Sequence, residues 1–167
     1  GIDFGAQTVS SLSGVTPSTG ANEILDHYEQ GTWTPTIVAE AGGTDPTGGY
    51  ATQSGRYIRI GNAVTVWCIV YMASSGVTSG SGTAVVGGLP FTVKNAGAIR
   101  GVGAATCGSF GTVKGAPLAA TPEYNQTNAT LKVYDNDAGN VAAWTNASAA
   151  DVTDSSNVFF ESTYEVD

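Results

Sequence analysis

Charge is scarce in this 167-residue chain, and basic charge is scarcest. Lys and Arg number 6 against 14 Asp and Glu, giving a formal net charge of −8, and charged residues are only 12% of the total. So little base leaves no positive face for a nucleic-acid backbone or an anionic membrane surface. There is one histidine, His27, and there are two cysteines, Cys68 and Cys107. Those three side chains cannot supply the four nitrogen or sulfur ligands of a structural zinc site, and two cysteines cannot build a disulfide-dense scaffold. No apolar run approaches the roughly 20 residues of a membrane-spanning helix. The chain starts at Gly1, with no basic, apolar, then small-residue leader, which reads as a cut with something preceding it.

Catalytic signatures are also missing. Gly108-Ser-Phe-Gly-Thr-Val-Lys114 imitates the end of a kinase glycine loop, but Thr106 stands where the first glycine belongs and no catalytic loop follows. Gly101-Val-Gly-Ala-Ala-Thr106 lacks the third glycine of a dinucleotide fingerprint. A Ser–His–Asp or Cys–His system would have to use His27, and no Gly-x-Ser-x-Gly accompanies it. No catalytic residue, metal or cofactor is assigned. Paired carboxylates for glycoside hydrolysis are the one enzymatic arrangement that spacing alone does not exclude.

What is present is apolar and turn-rich: 41% hydrophobic residues and 23 glycines, too much core material for a disordered chain. Residues 1–21, rich in Ser, Thr and Gly, read as a linker or stalk-connecting segment, and residues 22–167 as a single domain. Asn22 is a good N-cap and Gly31 a good C′ residue, which predicts a short helix between them with Ile24, Leu25 and Tyr28 on one face. A helix so short needs a partner surface.

From Trp33 onward the signals are β. Candidate strands are 33–38 (its Pro35 confining it to an edge or a strand start), 56–60, 63–72, 83–86, 91–93, 98–106, 130–135, 141–145 and 157–166. Gly61-Asn62 suits a type II′ hairpin turn. Along 63–72, Val64, Val66, Cys68, Val70 and Met72 form one face and Thr65, Trp67, Ile69 and Tyr71 the other. The second face is apolar enough to require cover from another sheet or subunit. Along 157–166, Val158, Phe160, Ser162, Tyr164 and Val166 alternate against Phe159, Glu161, Thr163 and Glu165. Cys68 and Cys107 lie in apolar or small-residue stretches, as buried free thiols do; a single bridge between them is the alternative. Many short strands with glycine turns predict a β-sandwich or barrel.

Charge falls in blocks: six acids and no base in 1–45, five bases and no acid in 46–122, eight acids and one base in 123–167. Either the strands of the three blocks interleave and neutralise one another, or opposite blocks meet across subunits. Tyr124, Tyr134 and Trp144 lie among Asn and Asp, including Asn136 and Asp137. A sugar ring stacks its C–H groups on an aromatic face while neighbouring amides and carboxylates take its hydroxyls, so these five are glycan-binding candidates; half-buried strand positions are the plainer reading of the aromatics. Asp135 and Asp137 resemble half of a calcium loop without its closing glutamate. Three Asn-x-Ser/Thr sequons, at Asn125, Asn128 and Asn146, occur in an Asn/Thr-rich stretch and matter only in a eukaryotic secretory pathway.

Leu25-Asp-His-Tyr-Glu-Gln-Gly-Thr-Trp-Thr-Pro35 is distinctive. So are Tyr50-Ala-Thr-Gln-Ser-Gly-Arg-Tyr-Ile-Arg-Ile-Gly-Asn62-Ala-Val-Thr-Val66, Gly88-Leu-Pro-Phe91 and the terminal Phe-Phe-Glu-Ser-Thr-Tyr164. Together they resemble the C-terminal domains of bacteriophage tail fibres and tailspikes, from about Asn22 to the end, with the stretch from Lys94 to Thr153 similar only in style. The resemblance implies an all-β, jelly-roll-like β-sandwich with one short N-terminal helix, assembled as a homotrimer at the tip of a virion appendage. It implies trimer registration, recognition of a bacterial surface polysaccharide, or both, and carries over no catalytic residue. Ile24, Leu25, Tyr28 and Trp33 are the trimer-interface candidates. A purely structural trimer-locking domain, and a polysaccharide-degrading enzyme or its accessory binding module, are the alternatives.

Overall fold

Period-two alternation decides most of the structure. The computed structural model describes residues 28–95, 101–111, 118–135 and 143–167. The strands are β1 (Tyr28–Trp33), β2 (Thr36–Ala39), β3 (Tyr50–Ile60), β4 (Ala63–Met72), β5 (Ala84–Gly87), β6 (Gly103–Phe110), β7 (Leu118–Pro122), β8 (Asn128–Asp135), β9 (Ala143–Asn146) and β10 (Val152–Glu165), with one 3-10 turn at Ala149–Asp151. They form a single curled antiparallel sheet in the order β1-β3-β4-β10-β6-β7-β8-β5-β2, and β9 pairs with β8. The all-β class expected from the sequence holds.

The centre is the β3–β4 hairpin with β10 laid against it. Ile60 pairs with Ala63 across Gly61-Asn62. Gly61 has φ 58° while Asn62 keeps a negative φ, the sign pattern of the expected type II′ turn. Val64, Val66, Val70 and Val158 are fully buried, and Cys68, Met72, Phe160, Ser162, Tyr164 and Val166 nearly so. The concave side is completed by Ile37, Val86, Ala105, Ala120 and Leu131 from the other strands. The large residues supply the apolar burial, and the alanines and glycines let the strands curl around them.

The two outermost strands, β1 and β2, are joined only by Thr34-Pro35, so the chain itself holds the two sheet edges together. β1 pairs with the Gly55–Ile60 half of β3. Three side chains meet the backbone of the β2 edge. Tyr50 Oη donates to the Ile37 carbonyl at 3.0 Å and accepts its amide at 3.1 Å. Gln53 Nε2 donates to the Pro35 carbonyl at 2.8 Å, and the Ala39 amide donates to Asp45 Oδ1 at 2.8 Å. The seam is thus closed by side chain to backbone bonds, which also blocks the edge from pairing with a foreign strand.

Three expectations are corrected. The helix is not seen: Tyr28–Gln30 belong to β1, while 22–27, with Ile24 and Leu25, lie outside the described residues, as does the segment 1–21. A β3 ladder in continuous register with Tyr28–Trp33 outweighs one marginal helical turn. The 33–38 strand is broken at Thr34-Pro35, since proline cannot donate to a ladder, and becomes the corner between β1 and β2. Residues 91–93 form no strand. Val93 is buried and exchanges backbone bonds with the β7–β8 turn at Asn125 and Gln126, while the neighbouring Lys94 amide bonds Glu165. The charge blocks do interleave. Arg59 of the basic block lies opposite Glu29 and donates to the Asp167 carbonyl at 3.1 Å, and Lys94 approaches Asp167 at 4.0 Å.

Candidate functional site

The outer face of β3–β4–β10–β6 is built by the same alternation that buries the inner one. Pairing register sets its rows. One row runs Thr32, Arg56, Trp67, Glu161, Ala104; the next runs Ser54, Ile69, Phe159, Thr106. Trp67, Ile69 and Phe159 are 36%, 38% and 39% exposed, large values for side chains of this size on central strands. The Phe159 ring meets Tyr71 edge-on, with centroids 5.9 Å apart. Thr65 and Thr163 bond hydroxyl to hydroxyl at 2.8 Å in the adjoining row.

Arg56, Trp67, Ile69, Phe159, Thr106 and Glu161 line an open groove of about 550 Å³, and a second hollow adjoins it toward β1, sharing Arg56 and Trp67. Arg56 and Glu161 stand on the strands either side of Trp67, two strand spacings or about 9.5 Å apart along the sheet. Among the described residues neither side chain has an ion-pair partner. The arrangement is an apolar strip with a cation on one flank and an anion on the other, the chemistry of a binding surface.

A second cluster sits on the inner side at the β1 end. Tyr57 Oη donates to the Glu29 carboxylate, which raises the Tyr57 phenol above its usual range. The Tyr57 ring meets Phe91 edge-on at 5.3 Å, and the Arg59 guanidinium lies 5.1 Å from the Phe91 centroid. Arg59 is committed to the Gly61 carbonyl at 2.8 Å and to Asp167, so this cluster fastens the C-terminus to the β3–β4 turn.

The glycan candidates separate. Trp144 is 55% exposed, and β8–β9 register pairs it directly with Tyr134. Asn136 and Asp137 lie outside the described residues. Tyr124 is half-buried and packs against the core, away from any platform. Asp135 pairs with Ala143 in the ladder, and no group of three metal-ligating side chains occurs among the described residues. Of the interface candidates, Tyr28 is 59% exposed, whereas Trp33 belongs to the chain's own core, its Nε1 donating to the Arg56 carbonyl at 3.2 Å.

Both cysteines are free thiols. Cys68 pairs with Phe160 and Cys107 with Val158, so β10 runs between them. Two strand spacings exceed the roughly 7 Å over which Cα atoms can be bridged, which removes the disulfide alternative. Burial pushes the Cys68 thiol up to about 12 and Cys107 up to about 11.

Arg56, Glu161 and Phe159 were the residues that sequence reasoning did not join into one site. Their outward parity was legible in each strand, but the register of β10 on β4 links positions about a hundred residues apart. No family model, no curated protein sequence and no solved structure matches the chain.

Proposed function

We propose that this chain is a C-terminal domain of a bacteriophage tail fibre or tailspike, a homotrimer on the virion appendage that binds a bacterial surface polysaccharide without cleaving it. The all-β fold is compatible with the jelly-roll-like sandwich that the resemblance implies. Of the sequence segments that carry the resemblance, the described parts include β1, β3 with the start of β4, and part of β10, strands that are neighbours at one end of the sheet order, and Gly88–Phe91 follows β5. The observation that carries the recognition half is Trp144: a large indole held 55% exposed on a two-stranded hairpin, in register with Tyr134 and next to an Asn/Asp-rich turn sequence. An exposed aromatic suits the apolar face of a sugar, and the Asn and Asp that follow β8 in sequence are of the residue types that take its hydroxyls. Three copies would multiply the weak affinity of so shallow a site.

The test is retention of the labelled chain on arrays of bacterial capsular and lipopolysaccharide glycans, with Trp144→Ala in parallel. Retention that Trp144→Ala abolishes supports the reading, and no retention on any surface removes the receptor half. A purely structural, trimer-locking role is favoured by the packing of half-buried Tyr124 against the core and by the uncovered face of β3–β4–β10–β6. It predicts a trimer that binds no glycan.

A further inference from the structure

We propose that the outer face of β3–β4–β10–β6 is where copies of this chain meet, with Arg56 of one copy set against Glu161 of the next. This deepens the trimer reading and rests on it only for the number of copies.

Two properties of the face select a second copy as its occupant. The first is its apolar content. Trp67, Ile69 and Phe159 are contiguous across neighbouring strands and more than a third exposed, a patch of the kind that marks a protein contact. Its border on β6 is Ala104 and Thr106, small enough to let another backbone approach. The second is its charge. Arg56 and Glu161 stand on opposite flanks of Trp67 in a single row, and neither has an ion-pair partner among the described residues. A strip that reads cation, indole, anion is complementary to itself. Three copies turned with this face toward a common axis would bring the β3 flank of each to the β10 flank of the next, so every Arg56 meets a Glu161. The apolar residues would line the axis. A wholly acidic or basic partner would satisfy one flank and oppose the other, which is the specificity that such a pair confers.

The test uses the full 167-residue chain and measures mass by light scattering over a dilution series, for wild type, Arg56→Glu, Glu161→Arg and the double exchange. Circular dichroism checks that each variant is folded; both residues are at the surface, so folding should persist. Each single reversal places like charges at every seam and should raise the dissociation constant at least about tenfold, and the double exchange should restore association. Trp67→Ala, which leaves the charges in place, should also weaken association. A trimer whose mass is indifferent to all three changes overturns this seam and leaves the trimer reading standing. A dimer that responds to the exchange supports the seam, through a two-fold axis along β4, and overturns the trimer count. A monomeric wild type overturns the seam, and Trp144-dependent glycan retention would then still decide the recognition half independently.

Discussion

The Tyr50 hydroxyl meets both backbone groups of Ile37, donating to the carbonyl at 3.0 Å and accepting the amide at 3.1 Å. One phenol on β3 thereby occupies the edge of β2 that a further strand would otherwise pair. Burial raises the Tyr50 phenol above its usual 10.0, so it keeps its proton and can do both.

Removing that oxygen should open the seam. Tyr50→Phe strands the Ile37 amide and carbonyl and is expected to cost about 1–3 kcal/mol. Thermal unfolding should show a midpoint lower by about 2–12 °C. An unchanged midpoint would mean that the seam contributes nothing to stability.

Trp33 and Gly55 face each other across β1 and β3, and a Cβ at Gly55 would fall 2.5 Å from the Trp33 indole nitrogen. The indole is a rigid core residue bonded through that nitrogen, so it has no easy retreat. Gly55→Ala is expected to destabilise by about 1–3 kcal/mol through overpacking, read from urea unfolding. Gly49→Ala, where nothing lies within 4 Å but φ is +84°, separates backbone strain from crowding.

The thiols make a prediction in pH. An unfolded thiol ionises near 9.0, whereas the folded Cys68 and Cys107 hold their protons to about 12 and about 11. The unfolded state therefore binds fewer protons above pH 9, and stability falls as pH rises through the 9–11 window. Cys68→Val should flatten that fall. In native buffer near neutral pH, a thiol reagent should react slowly, and with two equivalents once urea is added. Rapid native labelling of Cys68 would contradict its burial.

Trp144 stands outside the buried core, so Trp144→Ala should change stability by no more than about 0.5 kcal/mol. Any loss of glycan retention in that variant would then report recognition rather than unfolding. A large loss of stability would instead make Trp144 a packing residue.

The strands that the sequence announced are those with long, clean alternation. β4 buries Val64, Val66, Cys68, Val70 and Met72, and β10 buries Val158, Phe160, Ser162 and Tyr164, each by strict alternation, and a one-residue slip would expose either set. β7 went unread because Leu118–Pro122 is short, alanine-rich and ends in proline. Its ladder to Lys132–Ala129 exists only because β8 is brought alongside. The Tyr50–Ser54 half of β3 went unread for a related reason. Its residues are polar and exposed in the sequence pattern, and they take their meaning from β2 across the seam.

By itself the sequence determined the acidic, all-β character, the Gly61-Asn62 hairpin and the two-faced apolar nature of β4, because each rests on the conformational demands of neighbouring residues. Tertiary structure alone decided that Tyr28–Gln30 extend a ladder instead of a helix and that β10 separates the two cysteines. It also set Arg56 and Glu161 on either flank of Trp67. Those outcomes depend on which distant strands pair, and that choice is made by burial of the whole sheet rather than by any local pattern.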